Sequence, residues 1–150
     1  MMIKIDRRGF TLLEMLIVMA LIAILAGIVI ASLNPARQFA LGRNSTRRAH
    51  ITTIMNAISA NVSENGGIFI CSTGTIPSTP TNMSNGDYDI APCLAPDYIS
   101  SMPFDPSVTD AHWTDSTDYD TGYEVSMDAD DIVTISAPEA ELEESITITR

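Results

Sequence analysis

The sequence has very little positive charge after its first third. Residues 49–150 contain 17 aspartates and glutamates but a single basic residue, Arg150, whereas the first 48 residues contain seven lysines and arginines. Contacts to phosphate need cations, so this composition argues against nucleic-acid binding by the C-terminal part. It predicts instead an acidic domain that faces water.

The sequence also lacks the residue groupings on which catalysis and metal binding usually depend. No serine lies in a Gly-x-Ser-x-Gly setting and the two histidines, His50 and His112, are isolated, so we expect no catalytic residue and a structural or surface role for both histidines. Asp128, Asp130 and Asp131 are only weak calcium candidates, because their segment has neither the glycine nor the terminal glutamate of an EF-hand loop. No cofactor is therefore predicted, and calcium remains the alternative.

Charge is absent from residues 15–36, and between residues 10 and 33 the only charged residue is Glu14. A helix over that second stretch would be about 36 Å long, enough to cross a hydrocarbon core of about 30 Å. A carboxylate inside such a helix costs roughly 2.5–3.5 kcal/mol in lipid on insertion scales. The run therefore predicts a membrane-spanning helix, and Glu14 is either a tolerated charge near the interface or a functional one.

The residues before Glu14 favour a functional role. The order Arg7-Arg8-Gly9-Phe10-Thr11-Leu12-Leu13-Glu14, followed by the apolar run, resembles the N-terminus of type IV pilins and of the pseudopilins of type II secretion. The resemblance implies that prepilin peptidase removes a basic leader between Gly9 and Phe10. It also implies N-methylation of Phe10 and the use of Glu14 in filament assembly.

The same resemblance implies a structural function and not an enzymatic one. We expect a subunit of a type IV pilus-like filament, held in the cytoplasmic membrane with its N-terminus inside and found at the cell surface once assembled. Its partners would be further copies of itself, prepilin peptidase and an assembly platform with its ATPase. A minor pilin or a secretion pseudopilin is the alternative within the class, and a monomeric, membrane-anchored binding protein is the alternative from another class.

The chain is expected to consist of four segments in an α+β, pilin-like fold. These are a leader (residues 1–9), a transmembrane or filament-core helix (10–35), its amphipathic continuation (36–65) and an antiparallel β head (66–150). Pro35 marks a point where the long helix is expected to break. The continuation has an apolar stripe at three- and four-residue spacing that should pack on the sheet, formed by Ile51, Ile54, Met55, Ile58 and Val62.

Three or four short antiparallel strands are predicted for the head. Alternating apolar and polar residues favour strands at 122–127, 132–136 and 145–149, with a turn at 128–131 between the first two. Residues 67–71 are a further strand candidate. Residues 72–87 and 107–121 are rich in turn-forming residues and are predicted to be loops.

Two cysteines beyond a membrane segment predict one disulfide. A bond between Cys71 and Cys93 would close a loop of about 22 residues. Two free, buried thiols are the alternative. A metal site is less expected, because neither cysteine has a CxxC partner.

Four arginines, Arg37, Arg43, Arg47 and Arg48, follow the apolar run. They could form a solvated helix face, contact the phosphates of lipid or DNA, or pair with the acidic head of an adjacent subunit. Of the two specific interpretations we favour subunit pairing, because the rest of the chain supplies so many carboxylates. Exposed pairs are screened by salt, so this interpretation predicts weaker filaments at high salt.

Overall fold

The computed structural model describes residues 9–150, which form three α-helices and five β-strands. The predicted leader residues 1–8 lie outside the described residues. The chain divides into two compact units, Met1–Ala36 and Arg37–Arg150. The first unit contains helix α1 (Leu12–Ser32), and the second contains nearly all of helix α2 (Pro35–Glu64), the short helix α3 (Ala91–Leu94) and the sheet.

Helix α1 begins at a polar cap and ends shortly before a proline. The side-chain oxygen of Thr11 accepts a hydrogen bond of 3.1 Å from the backbone N–H of Glu14, which pairs one of the free donors of the first turn. Helix α2 begins at Pro35, whose missing N–H and fixed φ suit the first helical position. The predicted break near Pro35 is confirmed, and it lies at Leu33 and Asn34. Its cause is steric, because a proline disfavours helical backbone in the residue before it.

The sheet is antiparallel throughout and is organised around its longest strand. Strand β3 pairs with β1 on one side and β4 on the other, β5 pairs with β4, and β2 forms a hairpin with β3. Strand β3 alternates strictly, so that Tyr119, Tyr123 and Val125 face the core. The strands are β1 (Thr81–Ser84), β2 (His112–Asp115), β3 (Asp118–Met127), β4 (Val133–Ala137) and β5 (Ile146–Thr149).

The predicted apolar stripe of α2 packs on this sheet. Ile51, Ile54, Met55 and Ile58 are all buried in one core together with the inward residues of β3, β4 and β5, and Val62 is partly buried at its edge. The predicted end of the helix at paired glycines is also found. Gly66 has a φ of 70°, and the N–H of Gly67 donates to the carbonyl of Val62 at 2.8 Å, which is the Schellman arrangement. The α+β, pilin-like architecture is thus confirmed.

The predicted strand at residues 67–71 is wrong, and a side chain explains why. The amide of Asn61 donates to the carbonyl of Ile70 at 3.1 Å and accepts from its N–H at 3.0 Å. It therefore satisfies the two backbone groups that a neighbouring strand would otherwise pair. The segment is therefore tied to the end of α2 by this side chain and does not join the sheet.

Two strands lie in segments that were predicted to be loops. Strand β1 contains one apolar residue, Met83, and its register against β3 shifts between Asn82 and Ser84. Strand β2 is held by its hairpin and by Trp113, whose ring lies 5.7 Å from that of Tyr119. Both strands depend on pairing with β3, which the composition of each short segment does not reveal.

The predicted disulfide is present between Cys71 and Cys93, with a sequence separation of 22. It joins the segment after α2 to helix α3. On the chain-entropy account, closing such a loop stabilises the folded state by about 3 kcal/mol.

We expect the substitution Cys71→Ser with Cys93→Ser to lower the free energy of unfolding of the second unit by about 3 kcal/mol. The measurement is urea unfolding of the full chain in detergent, followed by the fluorescence of Trp113, the single tryptophan. Treating the unsubstituted chain with a reductant should produce the same loss. If neither treatment changes the unfolding midpoint, the bond does not constrain the unfolded chain.

Candidate functional site

The N-terminal segment presents apolar side chains on every side. All residues from Gly9 to Ile30 are exposed, with Phe10 79% and Leu12 83% accessible. The span Leu12–Ile30 has a mean hydropathy of 2.9 and is long and apolar enough to cross a membrane. A helix that is apolar all round belongs in lipid or inside a larger assembly. Water is therefore not the medium in which α1 functions.

Glu14 is the one charge in this helix. It occupies the third position of α1, next to the cap that Thr11 provides. The partial positive charge of a helix N-terminus favours a carboxylate there by about 0.3–1 kcal/mol. That amount offsets only part of the cost of a charge in an apolar environment, which is roughly 2.5–3.5 kcal/mol on insertion scales.

A family model described as the prokaryotic N-terminal methylation motif matches residues 5–30. This is the motif of the leader and first helix of type IV pilin and pseudopilin precursors. The chain carries a prepilin-type N-terminus. No curated protein and no solved structure matches it.

The prepilin motif covers Gly9, Phe10 and Glu14, which sequence analysis had named for cleavage, methylation and assembly. Those three roles remain predictions for the individual residues. The motif ends at residue 30, so it gives no information about the second unit, Arg37–Arg150, which is called the acidic unit from here on.

A cluster of paired charges lies in that acidic unit and is built on one face of α2. Arg47 and Asp105 form a bidentate ion pair in which both side chains are fully buried, with Nε–Oδ2 at 2.6 Å and Nη2–Oδ1 at 3.0 Å. The remaining nitrogen of Arg47, Nη1, donates to Asn44 at 2.8 Å and to Glu141 at 3.1 Å. Every nitrogen of the guanidinium is therefore paired, which is the condition for tolerating a buried charge.

The carboxylate of Asp105 is held in the matching position by its own loop. It accepts backbone hydrogen bonds from Ser107 at 2.8 Å and Val108 at 3.3 Å. Gly122 of β3 crosses this loop closely. A Cβ on Gly122 would lie 3.2 Å from Cβ of Asp105, and its φ of 67° is also one that glycine favours.

The turn after β4 completes the cluster. Glu141 makes a bidentate pair with Arg43, with Nε–Oε2 at 2.6 Å, and Glu144 pairs with Arg48 at 2.6 Å. The buried amide of Asn44 both donates to the carbonyl of Glu141 at 2.7 Å and accepts from its N–H at 3.0 Å. Four residues of α2 therefore hold a single acidic turn.

The interpretation of the four arginines as contacts to an adjacent subunit is wrong for Arg47, because its side chain is fully buried. Arg43 and Arg48 remain partly accessible but already pair with carboxylates of their own chain. Arg37 is exposed near the start of α2. The sequence contained a signal for this outcome, since Ala40, Asn44 and Arg47 continue the spacing of the apolar stripe and are buried with it.

The other candidates have local roles. His50 contacts the hydroxyl of Tyr123 at 2.9 Å, and His112 lies 3.2 Å from Asp118 on the surface. Asp128 accepts from the backbone N–H groups of residues 130 and 132 and so forms the β3–β4 turn. Between residues 9 and 150, no three His, Cys, Asp or Glu side chains form a group that could hold a metal ion, so the calcium candidates Asp128, Asp130 and Asp131 are not brought together as a site.

We expect Arg47→Met to lower the free energy of unfolding by about 3–5 kcal/mol, because it leaves the carboxylate of Asp105 buried without a partner. The double substitution Arg47→Met with Asp105→Leu should recover much of that loss, since no charge is then left buried. Arg48→Met is the matched control on the next residue of the helix, where an exposed pair contributes only about 0–1 kcal/mol. Unfolding is followed by the fluorescence of Trp113, and equal effects at positions 47 and 48 would contradict the prediction.

The cluster also predicts how stability depends on acidity. Burial alone would raise the pKa of Asp105, but the hydrogen bonds from Arg47 and Ser107 outweigh it and hold that pKa below its ordinary value. The hydrogen bond from Arg43 lowers the pKa of Glu141 to about 2. Both groups therefore bind protons more readily in the unfolded chain, and their stabilisation is present above the ordinary carboxyl pKa and lost as the pH falls below it.

We expect the unfolding midpoint in urea to decline between about pH 4 and pH 2, as these two carboxylates become protonated. In Glu141→Gln the midpoint should decline less steeply over the same interval. Glutamine does not titrate, so of the two carboxylates only that of Asp105 then binds a proton. Glu139→Gln, an exposed acid two residues earlier, is the control that should leave the slope unchanged. A slope that is the same in all three chains would show that Glu141 is not linked to folding.

Proposed function

We propose that this chain is the precursor of a structural subunit of a type IV pilus-like filament, cleaved after Gly9 and polymerised through α1. The observation that carries the proposal is the prepilin motif at residues 5–30, whose helical part from Leu12 to Ile30 is exposed and, apart from Glu14, apolar. In a precursor anchored in the membrane by α1, lipid would cover that apolar surface. In a filament, the α1 helices of neighbouring subunits would cover it.

The position of Glu14 supports a specific role in that exchange. Cleavage would place a positively charged α-amino group on Phe10, four residues before the carboxylate. Removing an unpaired charge from water is costly, whereas a paired one is tolerated. Pairing the amino group of one subunit with Glu14 of its neighbour would therefore permit burial only in a fixed axial register.

The acidic unit suits the surface of such a filament. Its charge keeps it in water, and the disulfide between Cys71 and Cys93 suits an oxidising compartment. In the function proposed here the chain acts as a structural subunit, without a cofactor or a catalytic residue. The implied partners are copies of the same chain, prepilin peptidase and an assembly platform.

The proposal is tested by the intact mass of the chain, measured separately in membranes and in material sheared from the cell surface. The sheared chain should begin at Phe10 and carry one additional methyl group. A full-length chain confined to the membrane would instead support a monomeric anchored protein. Processed chain in the membrane with none in the sheared fraction would support a pseudopilin or minor subunit.

Glu14→Gln should be cleaved normally, yet its amount in the sheared fraction should fall by about tenfold or more, since the loss of 1.4 kcal/mol per contact already changes an equilibrium tenfold. The substitution keeps the size of the side chain and removes only its charge. Glu139→Gln makes the same chemical change on the exposed surface of the head and should assemble like the unsubstituted chain. Normal assembly of Glu14→Gln would remove the proposed pairing.

A further inference from the structure

The acidic unit has almost no positive charge left for contacts with other subunits. Residues 37–150 contain five arginines and 17 carboxylates, a net charge of −12 with neutral histidines. Arg43, Arg47 and Arg48 pair with Glu141, Asp105 and Glu144 of the same chain. The three arginines are thus used internally, and 14 carboxylates remain that they do not neutralise.

The remaining carboxylates are distributed over the sheet and its loops. The outward positions of β3 carry Asp118, Asp120 and Glu124, opposite the core residues with which they alternate. The β3–β4 turn carries exposed Asp128, Asp130 and Asp131. The face of the sheet that points away from α2 therefore presents negative charge and hydroxyl groups.

We propose, on the basis of the filament function above, that the acidic units of neighbouring subunits, which form the heads, repel one another. Assembly then depends on the screening of this repulsion by salt. Cohesion then comes from the apolar surface of α1, and the heads oppose it. This reverses the salt dependence expected when the arginines were assigned to contacts between subunits. The amount of filament that forms then depends directly on the ionic strength of the surroundings.

The repulsion between neighbouring heads is strong at low salt, because the Debye length is then similar to the distance between their centres. A unit of this size has a radius of gyration of about 13 Å, so touching heads have centres within about 30–35 Å of one another. The Debye length is about 30 Å at 0.01 M and about 8 Å at 0.15 M ionic strength. At low salt nearly all charges of two neighbouring heads interact, whereas at moderate salt only those at the contact do.

The test uses filaments sheared from cells and diluted into NaCl at about 10 mM or about 150 mM, concentrations that bracket the change in Debye length. The fraction of chain that pellets at high speed is then measured. We expect roughly a twofold or greater loss of pelleted chain at the lower concentration. A fraction that is higher at low salt would overturn the inference and restore ion pairing between subunits.

A charge variant separates repulsion from the general strengthening of apolar contacts by salt. Asp97→Asn, Asp110→Asn, Asp130→Asn and Glu139→Gln together remove four exposed charges. This variant should lose clearly less pelleted chain at low salt than the unsubstituted chain does, because fewer like charges then repel one another.

A matched control replaces four exposed, uncharged side chains: Ser100→Ala, Ser101→Ala, Thr109→Ala and Thr114→Ala. It should retain the full salt dependence. If the charge variant also retains it, repulsion between heads is not its cause and the inference is overturned, while the filament function stands. If no chain pellets at any salt concentration and the leader is still attached, the filament function itself fails, and the inference fails with it.

Discussion

The buried pair between Arg47 and Asp105 is the interaction on which the arrangement of the second unit depends. It joins the middle of α2 to the loop before β2, and through Asn44 and Glu141 it also joins α2 to the turn before β5. An ion pair of this kind contributes little net stability compared with an apolar contact of the same size. Its hydrogen bonds are directional, and through one guanidinium group they connect three separate segments, namely the helix, the loop and the turn.

The second constraint concerns α1, whose exposed surface has no polar face. A helix of this kind has two stable environments, a bilayer and a bundle of similar helices, and a single charge at its first turn distinguishes them. In the bilayer Glu14 can lie near the headgroups, whereas inside a bundle it requires a cation. The proposed cleavage would supply such a cation at Phe10, so the chemistry of the prepilin N-terminus would restrict assembly to subunits that have lost the leader.

The sequence was informative where one physical requirement dominated a segment. The prepilin motif, the stripe on α2, the hairpin between β3 and β4 and the glycine cap each follow from spacing within a few residues. Strand β1 and the segment at Ile70 were not predictable in this way, because one forms only against β3 and the other is completed by the amide of Asn61. The partner of β1 is distant, since Thr81 pairs with Val125. Asn61 lies only nine residues before Ile70, but it acts through side-chain hydrogen bonds that a pattern of apolar and polar residues does not contain.

The arginines show the same limit and its consequence for function. A charged residue on an apolar stripe has two interpretations, a solvated edge or a buried pair, and the choice depends on whether a carboxylate arrives from a distant loop. Asp105 and Glu141 do arrive, 58 and 94 residues after Arg47. Once Arg43, Arg47 and Arg48 are paired inside the chain, the rest of the unit carries 14 carboxylates against two arginines, Arg37 and Arg150. Folding of the head and repulsion between heads therefore have the same origin, because the cations that fix α2 on the sheet are the ones that could otherwise have linked one subunit to the next.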